Sequence, residues 1–398
     1  MPIRPCWVEI STQAFQSNYR YLKSRAPAEV ELLAVVKSDA YGHSLALCAP
    51  AAVAAGAQWL GVTSVDEAVS ARPLCLKSNL LVMSGCFPGQ GAAAVEHRLT
   101  PVVWEIWQLK ELENAARTAG LPARSQPIHI EIDTGMSRQG VSLDGLIELL
   151  ARLDPVGPIR LDGVMTHLLA ADESDGRITR EQLQRLDEAL ECIHAASAVD
   201  SLKPRWLSVG SSAALLGGEV HEVVARAKRW GMQPMIRPGL ALYGVAPHFL
   251  PAEPPGLQEA RKALQPVLRW KTKVVGVRKI PAGAVVGYNA TFVASEPMLL
   301  ALLPVGYADG LDRLLGNHFS LLVRGERAPL VGRISMDLAV LDVTDIDGVE
   351  AGDEVVILGS QGDETISAFA HAEAIGTIPW EVFTRIGARV ARKVTADS

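Results

Sequence analysis

No run of apolar residues in this 398-residue chain is long enough to span a bilayer, and the first ten residues hold no hydrophobic segment of the secretory type. Basic blocks are missing as well: lysine and arginine are scattered singly or in pairs such as Arg261-Lys262 and Arg278-Lys279, and the formal charge is −6. Nothing in that pattern follows a phosphate backbone, so nucleic acid is not an expected partner. Cysteine is scarce. Cys6, Cys48, Cys75, Cys86 and Cys192 form no close pair with metal-ligand spacing, and their odd number would leave one unpaired in any disulfide scheme. No metal is expected, and buried thiols in a reducing compartment are the simpler reading. Low-complexity tracts are lacking too, since the 34 glycines and 24 prolines are spread along the chain as turn punctuation. These absences lead to the expectation of a soluble cytoplasmic protein with no membrane association.

What the chain has is length for two or three domains and 48% apolar residues with which to build their cores. Between residues 32 and 244, short runs containing β-branched residues alternate with stretches of helical periodicity. The candidate strands span 32–36, 59–63, 80–84, 100–103, 128–132, 163–166, 206–209 and 236–239. Amphipathic spacing lies between them, as in Ile106, Leu109, Leu112, Ala116 and Ala119, or Leu183, Leu186, Leu190 and Ile193. Eight such units fit an α/β fold with a closed parallel (β/α)8 barrel better than an open doubly wound sheet. The barrel is expected over residues 8–246, after an initial helix near 12–23. Pro247, Pro251, Pro254 and Pro255 mark a linker. Beyond it, 267–277, 298–303, 319–323, 339–342 and 354–358 read as strands and 365–374 as a helix. A predominantly β domain is therefore expected over 257–398, joined by residues 1–7.

The first barrel strand ends in Ala34-Val-Val-Lys-Ser-Asp-Ala-Tyr-Gly-His43 and delivers Lys37 to the barrel mouth, where barrel enzymes hold their substrates. A lone strand-end lysine is usually an exposed terminus. Burial would instead lower its pKa and favour a Schiff base with an aldehyde cofactor. Tyr41 follows within reach of the same ligand. Taken singly, Arg237 reads as a barrel-mouth salt bridge, Ser211-Ser212 as a helix cap and Tyr288 as a core or surface tyrosine.

The lysine motif resembles the cofactor-lysine motif of bacterial alanine racemases, the barrel-type pyridoxal-phosphate enzymes. The resemblance continues through Glu131-Ile-Asp-Thr-Gly-Met-Ser-Arg138, Ile236-Arg-Pro-Gly-Leu-Ala-Leu-Tyr-Gly244, Gly287-Tyr288, Val305-Gly-Tyr-Ala-Asp-Gly310 and Val331-Gly-Arg-Ile-Ser-Met-Asp337. Six ordered motifs over some three-quarters of the chain are far more specific than one.

The resemblance implies that Lys37 binds pyridoxal 5'-phosphate covalently and that Arg237 faces the pyridine nitrogen, its fixed charge disfavouring protonation there. Ser212, the amides of Gly239 and Leu240, and Tyr41 match the phosphate ligands, and His167 supports the network behind the ring. Lys37 and Tyr288 resemble the two bases that racemisation needs, lysine for the D-enantiomer and tyrosine for the L-enantiomer. Arg138 resembles the arginine on the substrate-carboxylate side. Met336 and Tyr307 match partner-chain residues at the carboxylate and the entrance, although Met336 could otherwise be core filling. A homodimer with composite active sites and a small amino-acid substrate is thereby implied.

Two positions depart from the family pattern. Glu131 stands where the family often has a carbamylated lysine, and could pair with Arg138 without modification. Trp380, in Gly376-Thr-Ile-Pro-Trp-Glu381, replaces the usual tyrosine, which puts substrate range in doubt more than cofactor use. Interconversion of L- and D-alanine, supplying D-alanine for peptidoglycan, is the leading reading. A broad-specificity or serine racemase is the nearest alternative; a related decarboxylase and a non-catalytic pyridoxal-phosphate carrier fit less well.

Overall fold

The computed structural model describes residues 4–196 and 202–395. The chain divides into two units, one made of Gln13–Ala40 and Cys48–Gln265, the other of Met1–Thr12, Tyr41–Leu47 and Pro266–Ser398. The first strand, β1 (Cys6–Ile10), belongs to the second of these.

Among the described residues, the larger unit is a closed barrel of eight parallel strands: β2 (Glu31–Val35), β3 (Trp59–Val62), β4 (Asn79–Val82), β5 (Thr100–Val103), β6 (Gln126–Glu131), β7 (Ile159–Thr166), β8 (Trp206–Val209) and β9 (Gln233–Ile236). Several are buried at every residue, Trp59–Val62, Thr100–Val103 and Trp206–Val209 among them. Continuous apolar runs of this kind are what a parallel sheet covered by helices demands. The ring closes where β9 pairs with β2, Glu31 opposite Met235 and Leu32 opposite Ile236.

Near the starts of β3 and β8 the barrel is filled by aromatic rings, Trp59 lying 5.7 Å from both Trp206 and His129. The His129 ring rests on Gly163, the residue opposite it in β7, where a Cβ would come within 2.6 Å of the imidazole. Glycine is required there by close approach, not by backbone conformation.

In the other unit, a seven-stranded sheet carries β1, β10 (Leu268–Lys273), β15 (Ser320–Val323), β16 (Glu326–Pro329), β18 (Glu354–Gln361), β19 (Glu364–Ile366) and β20 (Ala391–Val394). β11 (Gly276–Ile280), β14 (Met298–Leu303) and β17 (Ala339–Asp342) form a second sheet, and β12 (Val285–Val286) with β13 (Phe292–Val293) a hairpin. The class is therefore the expected one, a parallel barrel plus a mostly β domain.

Several boundaries move. Val8 to Ile10 are sheet residues of the second unit, paired antiparallel with β10 and parallel with β20, so the barrel unit begins after residue 12 and not at residue 8. It also runs past the proline-rich linker to Gln265, because the buried Asn18 amide clamps Gln265 through both its N–H and its carbonyl. Residues 1–3 of the segment expected to join the C-terminal domain lie outside the described residues. The eighth barrel strand sits three residues earlier than expected, since Pro238 lacks the N–H that would continue the ladder. The run 267–277 is two strands: Val274 N–H bonds Asp353 and Val275 N–H bonds Leu302, so adjacent residues enter different sheets. Residues 364–366 pair with β18, and the helix begins only at Ala368, where Ser367 caps it by accepting the Ala370 N–H.

Burial, with Arg237 and Arg160 adding to it, pushes the His129 imidazole down to about 3, and neither ring nitrogen has a hydrogen-bond partner among the described residues. The unfolded chain binds a proton below about pH 6.5 that the folded chain refuses, so stability falls as pH drops from there toward 3. Replacing the ring by His129→Phe removes this term. In urea unfolding at stepped pH, the wild type should lose ground to the variant by roughly 1 kcal/mol per pH unit below 6; parallel profiles would contradict the assignment.

Candidate active site

Five consecutive strands carry the expected barrel residues at or beyond their C-terminal ends, and the sixth, β3, adds one that was not expected. In ring order these are Glu131 and Arg138 after β6, His167 after β7, Ser212 after β8, Arg237 and Gly239 after β9, Lys37 after β2, and the turn holding Glu67 after β3. Strand closure thus makes neighbours of residues 37 and 237, and Val35 N–H reaches Pro238 carbonyl at 3.1 Å.

Lys37 leads into an unusual turn. Ser38, Asp39, Ala40 and Tyr41 all have φ between 51° and 55°, a left-handed conformation that costs each non-glycine residue about 1–2 kcal/mol. The Glu67 carboxylate holds its start, one oxygen accepting Ser38 N–H at 2.5 Å and the other Thr63 N–H at 2.8 Å. Reading for chemistry alone missed Glu67. The signal was present as Ser64-Val-Asp-Glu67, a capping-box spacing, in which Ser64 does cap the following helix. Burial lowers the Lys37 amine, Arg138 and Arg237 add to the shift, and Glu67 opposes it.

Arg237 is buried and donates through Nη1 to Ser208 carbonyl (2.6 Å) and Ser208 Oγ (2.9 Å), and through Nη2 to Thr166 carbonyl (2.8 Å). Burial brings it down to about 10, so it remains a cation at neutral pH. His167 Nδ1 lies 3.4 Å from Nη2. Burial and then Arg237, Arg138 and Lys37 hold that imidazole near 3, which leaves it neutral and able to accept from the guanidinium.

Ser212 Oγ accepts the N–H groups of Gly239 (3.1 Å) and Ala241 (3.2 Å), so the hydroxyl and the backbone after β9 form one hydrogen-bonded cluster of donor groups. Ser211 occupies the N-cap position but makes no side-chain cap bond. An amine lowered by burial, a buried cation and this donor cluster on adjacent strands suit a phosphorylated aldehyde cofactor of the pyridoxal type.

Glu131 is 3% exposed, and its carboxylate accepts the side-chain amide of Gln139, which also donates to Met83 carbonyl at 2.7 Å. Gln139 was not foreseen. Burial raises the Glu131 carboxyl, against the Gln139 bond and the charges of Arg237 and Arg138. Arg138 is exposed, and among the described residues no ion pair joins it to Glu131.

The remaining expected residues belong to the C-terminal unit. Tyr288 is 69% exposed in the turn between β12 and β13, where Gly287 (φ +74°) packs on the Arg333 backbone. Tyr307 and Met336 occupy two loops knotted together, Tyr307 N–H bonding Ser335 carbonyl and Ala308 N–H bonding Met336 carbonyl. Buried Asp309 fastens the knot, accepting Arg4, Arg389 and Gly306 N–H. Gly306 has no room for a Cβ, which would fall 2.2 Å from Ser335 carbonyl. Trp380 is half-buried on the helix Pro379–Thr384. Tyr41 is buried, its phenol pushed up by burial and so protonated. His43 Nδ1 sits 2.8 Å from Tyr41 carbonyl, and His129 is the barrel-filling ring described above.

Glu67→Gln removes the charge that raises the Lys37 amine and leaves one of two backbone N–H groups facing an amide N–H, a loss of about 1–3 kcal/mol. Lys37 in the variant should titrate lower than in the wild type, read from the pH dependence of its labelling by an aldehyde and borohydride. An unchanged or raised titration would contradict the role given to Glu67.

Residues 10–247 match the family model described as "Alanine racemase, N-terminal domain", and 267–394 match "Alanine racemase, C-terminal domain". Alanine racemase 1 of Caldanaerobacter subterraneus subsp. tengcongensis is 35% identical over 391 residues, covering 98% of this chain and 95% of the relative. The crystal structure of alanine racemase from D-cycloserine-producing Streptomyces lavendulae superposes with a TM-score of 0.86 at 33% identity, over 99% of this chain and 98% of that one. The enzyme from Bartonella henselae, solved with covalently bound pyridoxal phosphate, does so with a TM-score of 0.81 at 26% identity, over 98% and 99%. With both of its domains matched along nearly their whole length, this chain belongs to the alanine racemase family.

Proposed function

We propose that this chain interconverts L-alanine and D-alanine with pyridoxal 5'-phosphate, supplying D-alanine for peptidoglycan, through two bases on opposite faces of the substrate Cα. The observation that carries this reading is the placement of Lys37 on the strand next to Arg237 and Gly239, with Ser212 one strand further. Lys37 would hold the cofactor covalently. Ser212 and the amides of Gly239 and Leu240 would take its phosphate, with Tyr41 as a further donor, and Arg237 would lie against its ring nitrogen with His167 behind. Bound there, the cofactor supplies an electron sink that acidifies the substrate Cα–H.

The chain's own residues then divide the proton work. The lowered pKa of Lys37 leaves more of it neutral near physiological pH, as a base for the D-enantiomer requires. Tyr288 is proposed as the base for the L-enantiomer. Its exposure in a single chain suits a residue that enters the site of a second copy, in a homodimer with composite sites. Arg138, with Met336 and Tyr307 of that second copy, would bind and enclose the substrate carboxylate. Glu131, held by Gln139, would put a fixed carboxylate beside Arg237 and Arg138 without carbamylation. No helix among the described residues is long and apolar enough to cross a membrane, and five cysteines outside any disulfide suit the reducing cytoplasm.

Incubating the loaded protein with L-alanine in deuterated water should yield D-alanine with deuterium at Cα, and Lys37→Ala should abolish both. Mixed Lys37→Ala and Tyr288→Phe chains should recover activity on subunit exchange, because one composite site then holds both native bases. Exchange without recovery would sink the shared-site arrangement.

A second reading, a racemase of broader range, is favoured by Trp380. An indole donates but cannot accept, and its bulk differs from a phenol's. Trp380→Tyr should change the alanine-to-serine ratio of kcat/KM by roughly 10-fold or more while cofactor occupancy holds. A constant ratio with large cofactor loss would make Trp380 an anchoring residue instead.

A further inference from the structure

The two loops that carry Arg138 and His167 meet on one face of the long helix Arg177–Ala196. Gln182 is buried there, and its amide makes three bonds. Nε2 donates to Thr134 Oγ1 and to His167 carbonyl, both at 3.0 Å, while Oε1 accepts Leu169 N–H at 2.7 Å. Thr134 Oγ1 is 2.8 Å from Thr166 Oγ1, which bonds Ile132 carbonyl at 2.9 Å. The direction of this chain has no freedom. Gln182 N–H must donate to Thr134, whose hydroxyl then donates to Thr166, whose hydroxyl donates to the carbonyl.

The residues three positions before and after Gln182 lie on the same helix face and read the same loops. Thr179 Oγ1 bonds Ala170 carbonyl, and Arg185 bonds Thr134 carbonyl at 2.7 Å, so close that a Cβ on Gly135 would fall 2.5 Å from its guanidinium. Thr134 is thus held at its carbonyl by Arg185 and at its hydroxyl by Gln182. From there, Asp133 Oδ1 fixes the N–H groups of Gly135 and Ser137, the residue before Arg138. Thr134, Thr166, Thr179 and Gln182 are all buried, where an unpaired amide or hydroxyl is costly.

We propose that Gln182 is a positioning residue that sets the spacing between the Arg138 loop and the His167 loop, and thereby the fit of the site to a substrate carboxylate. The proposal rests on the reading of Arg138 as the carboxylate-side residue. It places the control of carboxylate recognition on a helix that touches neither substrate nor cofactor in that reading. Gln182→Leu keeps the bulk and removes all three bonds. Gln182→Glu keeps the shape and the acceptor but loses the amide donors. Misplacing a binding group by about 1 Å is enough to weaken its contact severely.

The test uses the loaded enzyme and two probes: propionate, which offers a carboxylate without an amine, and ethylamine, which offers the reverse. In Gln182→Leu and Gln182→Glu, propionate should bind about 10-fold more weakly while ethylamine binding and cofactor occupancy stay as in the wild type. If the Gln182 variants do not fold, Thr134→Val breaks the same chain one link further and carries the same expectation. Unchanged propionate binding, or equal losses for both probes, would overturn the proposal. Arg138→Leu separates the two levels. If it weakens propionate while the Gln182 and Thr134 variants do not, only the Gln182 proposal fails; if it leaves propionate unaffected, the reading of Arg138 falls and takes the proposal with it.

Discussion

Closure of the strand ladder between β9 and β2 is the constraint on which the site depends. Two residue pairs, Glu31 with Met235 and Leu32 with Ile236, bring together segments two hundred positions apart, and the hydrogen bond from Val35 to Pro238 carries the contact to the barrel mouth. Six of the eight strands then bring polar groups to one end of the barrel, and the barrel spaces those ends at the interval of a parallel sheet. The chemistry needs no long loop to gather it.

That arrangement concentrates positive charge. Burial lowers both Lys37 and Arg237, Arg138 adds to each shift, and Arg237 adds to that of Lys37. Two carboxylates answer them in different ways. Glu67 uses both oxygens on backbone N–H groups and so ties down the turn after Lys37 while remaining a charge near it. Glu131 lies in the interior against Gln139, where it opposes the lowering of Arg237. The neutral imidazole of His167 completes the set without adding to the positive charge.

In the C-terminal unit the same economy appears around Asp309. One buried carboxylate accepts two arginines and a backbone N–H, and by doing so fixes the loop that carries Tyr307 against the one that carries Met336. Glycines 306, 287 and 332 permit the backbone approaches on which these loops rest. Residues that look like motif punctuation in the sequence are therefore packing requirements of the loops that bear Tyr288, Tyr307 and Met336.

The alternation of apolar runs and helical spacing, read by itself, established a parallel barrel followed by a β domain, because buried parallel strands must be apolar throughout and covering helices must be amphipathic. Lys37 was legible as the residue that ends the first barrel strand, whereas Arg138, Ser212 and Arg237 were singled out by the resemblance of their motifs to the family's. Tertiary structure alone decided the rest. That Val8 to Ile10 complete the distant sheet, that 267–277 splits between two sheets, and that the barrel unit runs on to Gln265 follow from hydrogen bonds to residues far away in the chain. Glu67, Gln139 and Gln182 stayed out of the chemical reading because a carboxylate or amide that serves the backbone has no periodicity of its own. Their significance lies in which backbone groups and hydroxyls stand opposite them, and only the closed barrel sets those in place.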